Sequence, residues 1–278
     1  MQEQDLLILG AGWTATFLIP LLQEKKRRFA ATTTDGRDVA GYHTIEYKFD
    51  SEADDAIDRI GRLPLAKSVL VTFPLTTAKQ VKFLVEEYTK THRRAAQDVQ
   101  FVQLGSTGIW QIEQESIWVD RKSPYNKTNE RAVAEDALIH LGGCVLNLAG
   151  LWGGERQPRN WQDRVAKTKE DVKSKKSLHM IHGLDVSRAV VAVIDDWKQA
   201  RGQRWMLTDG FVYDWYSLFM GWANQEDGTP TKQARWVQEL MQEEQILALP
   251  RSMEVLQRCY SSRDFWDTFD LTPAKARI

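Results

Sequence analysis

Four apolar residues, Leu6-Leu7-Ile8-Leu9, run directly into Gly10-Ala11-Gly12-Trp13-Thr14-Ala15. A short buried strand that ends on one glycine and restarts as a helix after a second leaves few folds open. Gly10 permits the tight turn, and Gly12 lets backbone approach a pyrophosphate. Ala15 is small enough for the helix to pack close to the strand, and the helix N-terminus offers free N–H groups to an anion. The alternative is a tight strand-to-helix turn that binds nothing.

The rest of the first half repeats the alternation. Phe29–Thr34, Val69–Val71, Phe101–Leu104 and Cys144–Ala149 are apolar or β-branched runs stopped by Gly, Ser or Pro, the pattern of buried parallel strands. Between them, Trp13–Gln23, Thr77–His92 and Asn129–Leu141 place apolar residues at helical spacing, although Pro20 interrupts the first. Strand and helix in turn predict a doubly wound α/β fold, its parallel sheet covered on both faces. The expected organisation is a nucleotide-binding domain over 1–150, to which 179–200 returns. A smaller, mostly helical substrate-side lobe follows from 151–178 and 201–278, including amphipathic helices over Asp185–Trp197 (with the returning segment) and Gln233–Leu249. Trp205, Trp215, Trp222 and Trp236 are expected in the lobe's core.

Composition removes other classes. Thirty-seven Lys and Arg against 38 Asp and Glu leave a formal charge of -1, which gives no general attraction to nucleic acid or an anionic membrane. Cys144 and Cys259 make neither a disulfide framework nor a zinc site. His179 and His182 are three apart without a third ligand nearby in sequence, so no metal is expected. No run reaches the roughly 18 apolar residues of a membrane span. With no basic-then-apolar leader at the N-terminus, a cytoplasmic protein is the expectation.

A ribose-binding acid is expected about 20 residues beyond the glycines. The second strand ends Thr34-Asp35-Gly36-Arg37. Asp35 is either that acid, placed slightly late, or a turn residue. Arg37 would suit a 2′-phosphate through bidentate pairing, or belong to a solvated turn. The balance leans to NADP, with NAD the alternative.

Several segments together resemble the atypical extended branch of the short-chain dehydrogenase/reductases, proteins of Rossmann fold similar to NAD-dependent epimerases and dehydratases. They are Gly10–Ala15, then Gly105-Ser106-Thr107-Gly108-Ile109-Trp110, then Asn147-Leu148-Ala149-Gly150-Leu151-Trp152-Gly153, and Met180-Ile181-His182-Gly183-Leu184-Asp185-Val186. The resemblance implies a nicotinamide cofactor held by Gly10, Gly12, Trp13, Thr14, Thr34, Arg37, Asp50, Phe73, Pro74 and Lys127. Ser106 falls where that family places a catalytic hydroxyl; it either bonds a substrate oxygen or satisfies local backbone. Asp50 either approaches the adenine or caps a helix. Asp185 reads as a helix N-cap. Trp110, Trp152 and Trp161 would line an aromatic or apolar substrate site, or pack in the core.

The departure is at the catalytic helix. The family's Tyr-x-x-x-Lys puts an acid/base and its lysine on one helix face. Here Tyr125 is followed four residues later by Asn129, whereas alignment on Glu135 puts Lys127 and Arg131 in the two positions. Neither frame keeps the pair. Tyr125 and Ser106 are the catalytic candidates, in an oxidoreductase or epimerase-like enzyme acting on a small molecule. The competing expectation is a nucleotide-binding regulator or scaffold without turnover.

Overall fold

A computed structural model describes residues 2–224 and 228–278. Its centre is a sheet of seven strands: β1 (Gln4–Leu9), β2 (Phe29–Thr33), β3 (Ile45–Glu46), β4 (Ala66–Val71), β5 (Gln100–Ser106), β6 (Cys144–Leu148) and β7 (Arg204–Leu207). All neighbours run parallel, in the spatial order β7-β6-β5-β4-β1-β2-β3. Strand order reverses at β1, between β2 and β4. In such sheets a crevice opens at that point, beyond the strands' carboxyl ends.

Helices α1 (Ala15–Glu24), α2 (Ala56–Gly61), α3 (Ala78–Thr91), α4 (Glu130–His140) and α5 (Gly183–Asp195) cover the two faces. The alternation of β1 sorts them. Leu6 and Ile8 share a core with Leu18 and Ile19 of α1 and Val186 and Val190 of α5. Leu7 and Leu9 share the other with Val81 and Leu84 of α3 and Leu138 of α4. All four strand residues are fully buried, each worth about 1.5–3 kcal/mol relative to exposure. A polar residue anywhere in the run therefore breaks one core or the other.

A hairpin of Asp38–Val39 and Tyr42–His43 joins β2 to β3. Two expectations change. Trp205 belongs to β7 and the main core rather than to the lobe, because its alternate face meets Phe265 and Phe269. The segment 204–207 thus lies in the sheet, not the lobe. Helix α5 begins two residues before Asp185, and its cap is His182, whose Nδ1 accepts the Leu184 N–H at 3.1 Å. Fully buried Asp185 instead accepts the N–H groups of Ala274 (2.8 Å) and Lys275 (2.9 Å), tying down the C-terminal segment.

The lobe has its own core. Helices α6 (Trp215–Gly221) and α7 (Lys232–Glu243) pack with Val172 and Met180 around Tyr216, Phe219, Val237 and Leu240. The chain then returns through α8 (Arg263–Thr268), which lays Phe265 and Trp266 on the main core. Among the described residues no helix is long and apolar enough to cross a membrane.

Candidate functional site

The turn after β1 has the geometry its glycines imply. Gly10 sits at φ +86°, and a Cβ there would lie 2.8 Å from Thr72 Oγ1 and 2.9 Å from Phe73 Cδ1. Its N–H donates to Thr32 Oγ1 (3.1 Å) and that of Ala11 to the Thr32 carbonyl (2.6 Å), so β2 fixes the turn. Gly12 differs: a Cβ there would meet nothing nearer than the Gly10 carbonyl oxygen at 3.9 Å. The protein itself therefore does not require glycine at 12; a ligand approaching the backbone would. The N–H groups of Trp13 and Thr14, ahead of α1, have no acceptor among the described residues. Open space and unpaired donors at a helix start suit a pyrophosphate.

Trp13 links this turn to the loop after β6. Its indole N–H donates to the Gly153 carbonyl at 3.2 Å, and the Arg156 guanidinium lies 4.5 Å above its ring centroid. Gly153 at φ +113° abuts the His182 ring, where no side chain would fit. Arg156 was not among the residues expected from sequence, because the contact spans 143 positions of chain.

The other residues expected to face a nucleotide do not share one crevice. Asp35 and Arg37, both half-exposed, form an ion pair at 2.7 Å; desolvation, the largest single influence, pushes the Asp35 carboxyl up, but hydrogen bonds from Thr33 and Arg37 together hold it below its usual range. Thr34 borders a crevice of about 450 Å³ containing Lys48, Arg59 and Arg62 together with Glu46 and Asp55. Asp50 is exposed and accepts the Glu52 N–H at 3.0 Å, so it caps a turn; the first residue of α2 lies six positions on. Phe73 packs against Gly10 and stacks on Phe49 at 5.5 Å; Pro74 beside it is exposed.

Ser106, the last residue of β5, lines a cleft of about 290 Å³ with Thr107, Gln111, Ser177, Arg258 and Tyr260. Its Oγ accepts the Gly108 N–H at 3.1 Å, which leaves the hydroxyl proton free to donate into the cleft. No tryptophan lines this cleft. Trp110 is fully buried beneath it, its indole N–H spent on the Ser123 carbonyl, and Trp152 and Trp161 pack in the lobe core. The expected tryptophan wall is absent, and Tyr260 contributes an aromatic ring to the lining instead.

Tyr125 is not in this cleft. Helix α4 starts at Glu130, so Tyr125 lies in the preceding segment and packs against the edge of the sheet. Its hydroxyl donates to Asp136 Oδ1 at 2.8 Å, and the Arg204 guanidinium stacks 4.4 Å from its ring centroid. Burial, reinforced by the Asp136 hydrogen bond, raises its pKa. Lys127 lines the same outer crevice, with His140 and Gln203, and Arg131 is exposed on α4. The fold thus separates Tyr125 and Lys127 from Ser106.

Beneath Ser106 lies a network that sequence indicated only through Glu135. The Glu135 carboxylate, fully buried, accepts from Ser106 N (3.3 Å), Asn147 Nδ2 (2.8 Å) and Arg204 Nη2 (3.1 Å). Burial pushes its pKa up against the pull of Asn147 and Arg204. Gly105 makes room: a Cβ there would fall within 2.6 Å of both Glu135 and Asn147. His179, at the inner wall of the cleft, is held neutral by burial at a pKa of about 3; its Nε2 accepts the Tyr260 N–H at 3.0 Å. Among the described residues no three His, Cys, Asp or Glu side chains converge as a metal site.

No family model matches this sequence, and no curated protein matches it. Solved structures do match. The dTDP-glucose 4,6-dehydratase of Bacillus anthracis, in complex with NAD, superposes with a TM-score of 0.60 at 10% identity, covering 98% of this chain and 92% of that one. The UDP-Glc/GlcNAc 4-epimerase of Campylobacter jejuni gives 0.64 at 11%, covering 99% and 95%. A conserved protein of unknown function from Silicibacter pomeroyi gives 0.65 at 15%, covering 99% and 95%. The chain has the doubly wound α/β fold of NAD-dependent epimerase, dehydratase and extended short-chain dehydrogenase/reductase structures.

Proposed function

We propose that this protein binds a nicotinamide dinucleotide and acts as an oxidoreductase or epimerase-like enzyme on a small organic molecule in the cleft over Ser106. The observation that carries the reading is the turn at Gly10–Thr14, where glycine at 12 is required by no atom of the protein and two N–H groups stand unpaired. Gly10, Gly12, Trp13 and Thr14 would hold the pyrophosphate, Thr34, Asp35 and Arg37 the adenosine ribose, and Asp50, Phe73 and Pro74 the adenine side. The cofactor supplies hydride exchange. Ser106 would donate its free proton to a substrate oxygen, held in place by the Glu135 contact to its N–H. Lys127 and Tyr125 have no part in this assignment.

The ion pair of Asp35 with Arg37 favours NAD: a 2′-phosphate would have to displace a carboxylate from the arginine, whereas Asp35 can accept from ribose hydroxyls. NADP is the alternative through Arg37. A second functional reading, a nucleotide-binding regulator without turnover, is favoured by the burial of Tyr125 against Asp136. Titrating NAD, NADH, NADP and NADPH while following tryptophan fluorescence, then screening carbonyl compounds with the nucleotide that binds, separates them. Binding with turnover supports the enzyme and binding alone the regulator. No binding removes both.

A further inference from the structure

The cleft over Ser106 contains one ionised side chain. Arg258 lines it, His179 is held neutral, and no carboxylate borders it. The Arg258 guanidinium has no acceptor among the described residues. It also borders a neighbouring crevice carrying Glu113, Glu115, Glu254 and Lys176, and it forms no ion pair with those carboxylates among the described residues.

The backbone that delivers this arginine is strained. Gln257 and Arg258 are consecutive non-glycine residues in the left-handed region, at φ +54° and +41°, a conformation side chains avoid. The turn is imposed from several sides. The Gln257 N–H donates to the Met253 carbonyl at 2.8 Å. Ser177 Oγ lies 2.9 Å from the Gln257 carbonyl oxygen and 3.2 Å from that of Arg258. Cys259 N–H then pairs with the Ile117 carbonyl at 2.7 Å and Tyr260 N–H with His179. Glycine would adopt this turn without strain, yet the chain places a long cation there. A guanidinium without an acceptor, lining the same cleft as a free hydroxyl proton, offers a fork of N–H donors matched to a planar or tetrahedral oxyanion. At about 290 Å³ the cleft is at the small end for ligand sites.

We propose that Arg258 is the anion-binding residue of this cleft, and that its substrate is a small molecule carrying a carboxylate or phosphate. That group sits on Arg258 and the reacting oxygen points to Ser106, an assignment that rests on the cleft being the substrate site.

The test uses Arg258→Gly, which removes the guanidinium and relieves the backbone, with Arg258→Lys as the conservative variant. Malonate, inorganic phosphate and neutral malonamide are titrated by calorimetry into each. Expected are binding of malonate or phosphate to the wild type, at least tenfold weaker in Arg258→Gly and partly retained in Arg258→Lys. Malonamide should not bind, and Arg258→Gly should melt at the wild-type temperature or above. Preference for malonate or for phosphate supports the oxyanion site either way and names its source. Absence of both from the wild type, equal binding of malonamide, or unchanged affinity in Arg258→Gly overturns it. Nucleotide affinity, measured separately, should stay within twofold in Arg258→Gly; a wild type that binds no nucleotide overturns the dinucleotide reading alone.

Discussion

Beneath α4 and above the strand ends lie two polar regions built from adjacent stretches of chain, and they dispose of their polar groups differently. Under α4, Arg204 lies 3.1 Å from both Glu135 and Asp136, Glu135 also takes Asn147 and the Ser106 N–H, and Tyr125 is spent on Asp136. Each charge there has a charged partner, and only Arg204 Nε and Asn147 Oδ1 of this network are left buried without a hydrogen bond. At the Gly10–Thr14 turn and in the Ser106 cleft, the N–H groups of Trp13 and Thr14 and the guanidinium of Arg258 have no acceptor among the described residues. Burying an unpaired polar group is costly, so a fold keeps such groups where solvent or a ligand can reach them. The first region holds the sheet and the back of Ser106. The second is where the proposed dinucleotide and substrate would sit.

The largest expected effect breaks the closed region. Arg204→Met leaves the Glu135 carboxylate buried without its cation, and a broken buried pair costs about 3–5 kcal/mol. Urea unfolding should show that loss, and Arg204→Met with Glu135→Leu should recover much of it because the uncompensated charge goes too. A single variant within 1 kcal/mol of wild type, roughly the scale of a surface pair, would mean the network is not structural.

A second closed site responds to pH. Burial raises the Asp209 carboxyl from 3.8 to about 6, although Tyr213 Oη donates to it at 2.5 Å and Phe211 N–H at 3.1 Å. A raised carboxyl holds its proton more tightly in the folded than in the unfolded chain. Its contribution is therefore complete below the unfolded value and is lost as pH rises through about 6. Relative to wild type, Asp209→Asn should gain stability between pH 4 and pH 7, by up to roughly 3 kcal/mol at 1.36 kcal/mol per unit. A pH-independent difference would refute the raised carboxyl.

The open region is tested at its two glycines, which should fail in different ways. Gly12→Val fills the space reserved for ligand, so nucleotide affinity should fall about 100-fold or more, roughly 2.7 kcal/mol, with the melting temperature nearly unchanged. Gly10→Ala meets Thr72 and Phe73 and is strained at φ +86°, so it should melt lower. Calorimetry on both variants decides: a folded Gly12→Val that binds NAD normally removes the cofactor assignment.

The same contrast explains what was legible beforehand. The Leu6–Ala15 segment carries its fold and its site within ten residues, since apolar run, turn glycines and helix start are all local. The strands at Phe29, Val69, Phe101 and Cys144 were equally local. What escaped was held together by distant chain. Strand β7 is short, and Arg204 at its start breaks the apolar pattern; the arginine is there to meet Glu135, 69 residues earlier. Arg258 enters the Ser106 cleft through a strained turn that no sequence pattern marks, and Asp185 is occupied by residues 89 and 90 positions away. The start of α4 was legible locally: Asn129 caps it by accepting the N–H groups of Arg131 and Ala132, which leaves Tyr125 in the segment ahead of the helix.

That placement makes the smallest prediction the sharpest. A phenol serves as a base near neutral pH only when a cation lowers its pKa. Tyr125 has Arg204 over its ring, but burial and the Asp136 hydrogen bond win, and its pKa is raised. Tyr125→Phe should therefore lower turnover, once a substrate is found, by less than about tenfold, under 1.4 kcal/mol of barrier. It should cost stability on the order of 1 kcal/mol for the lost hydrogen bond to Asp136. Ser106→Ala, which removes the free proton in the cleft, should lower turnover more while leaving nucleotide affinity unchanged. If Tyr125→Phe instead loses several orders of magnitude in kcat with NAD binding intact, the outer crevice around Lys127 and Arg204 is the reaction site. The division between a closed structural region and an open ligand region would then run the other way.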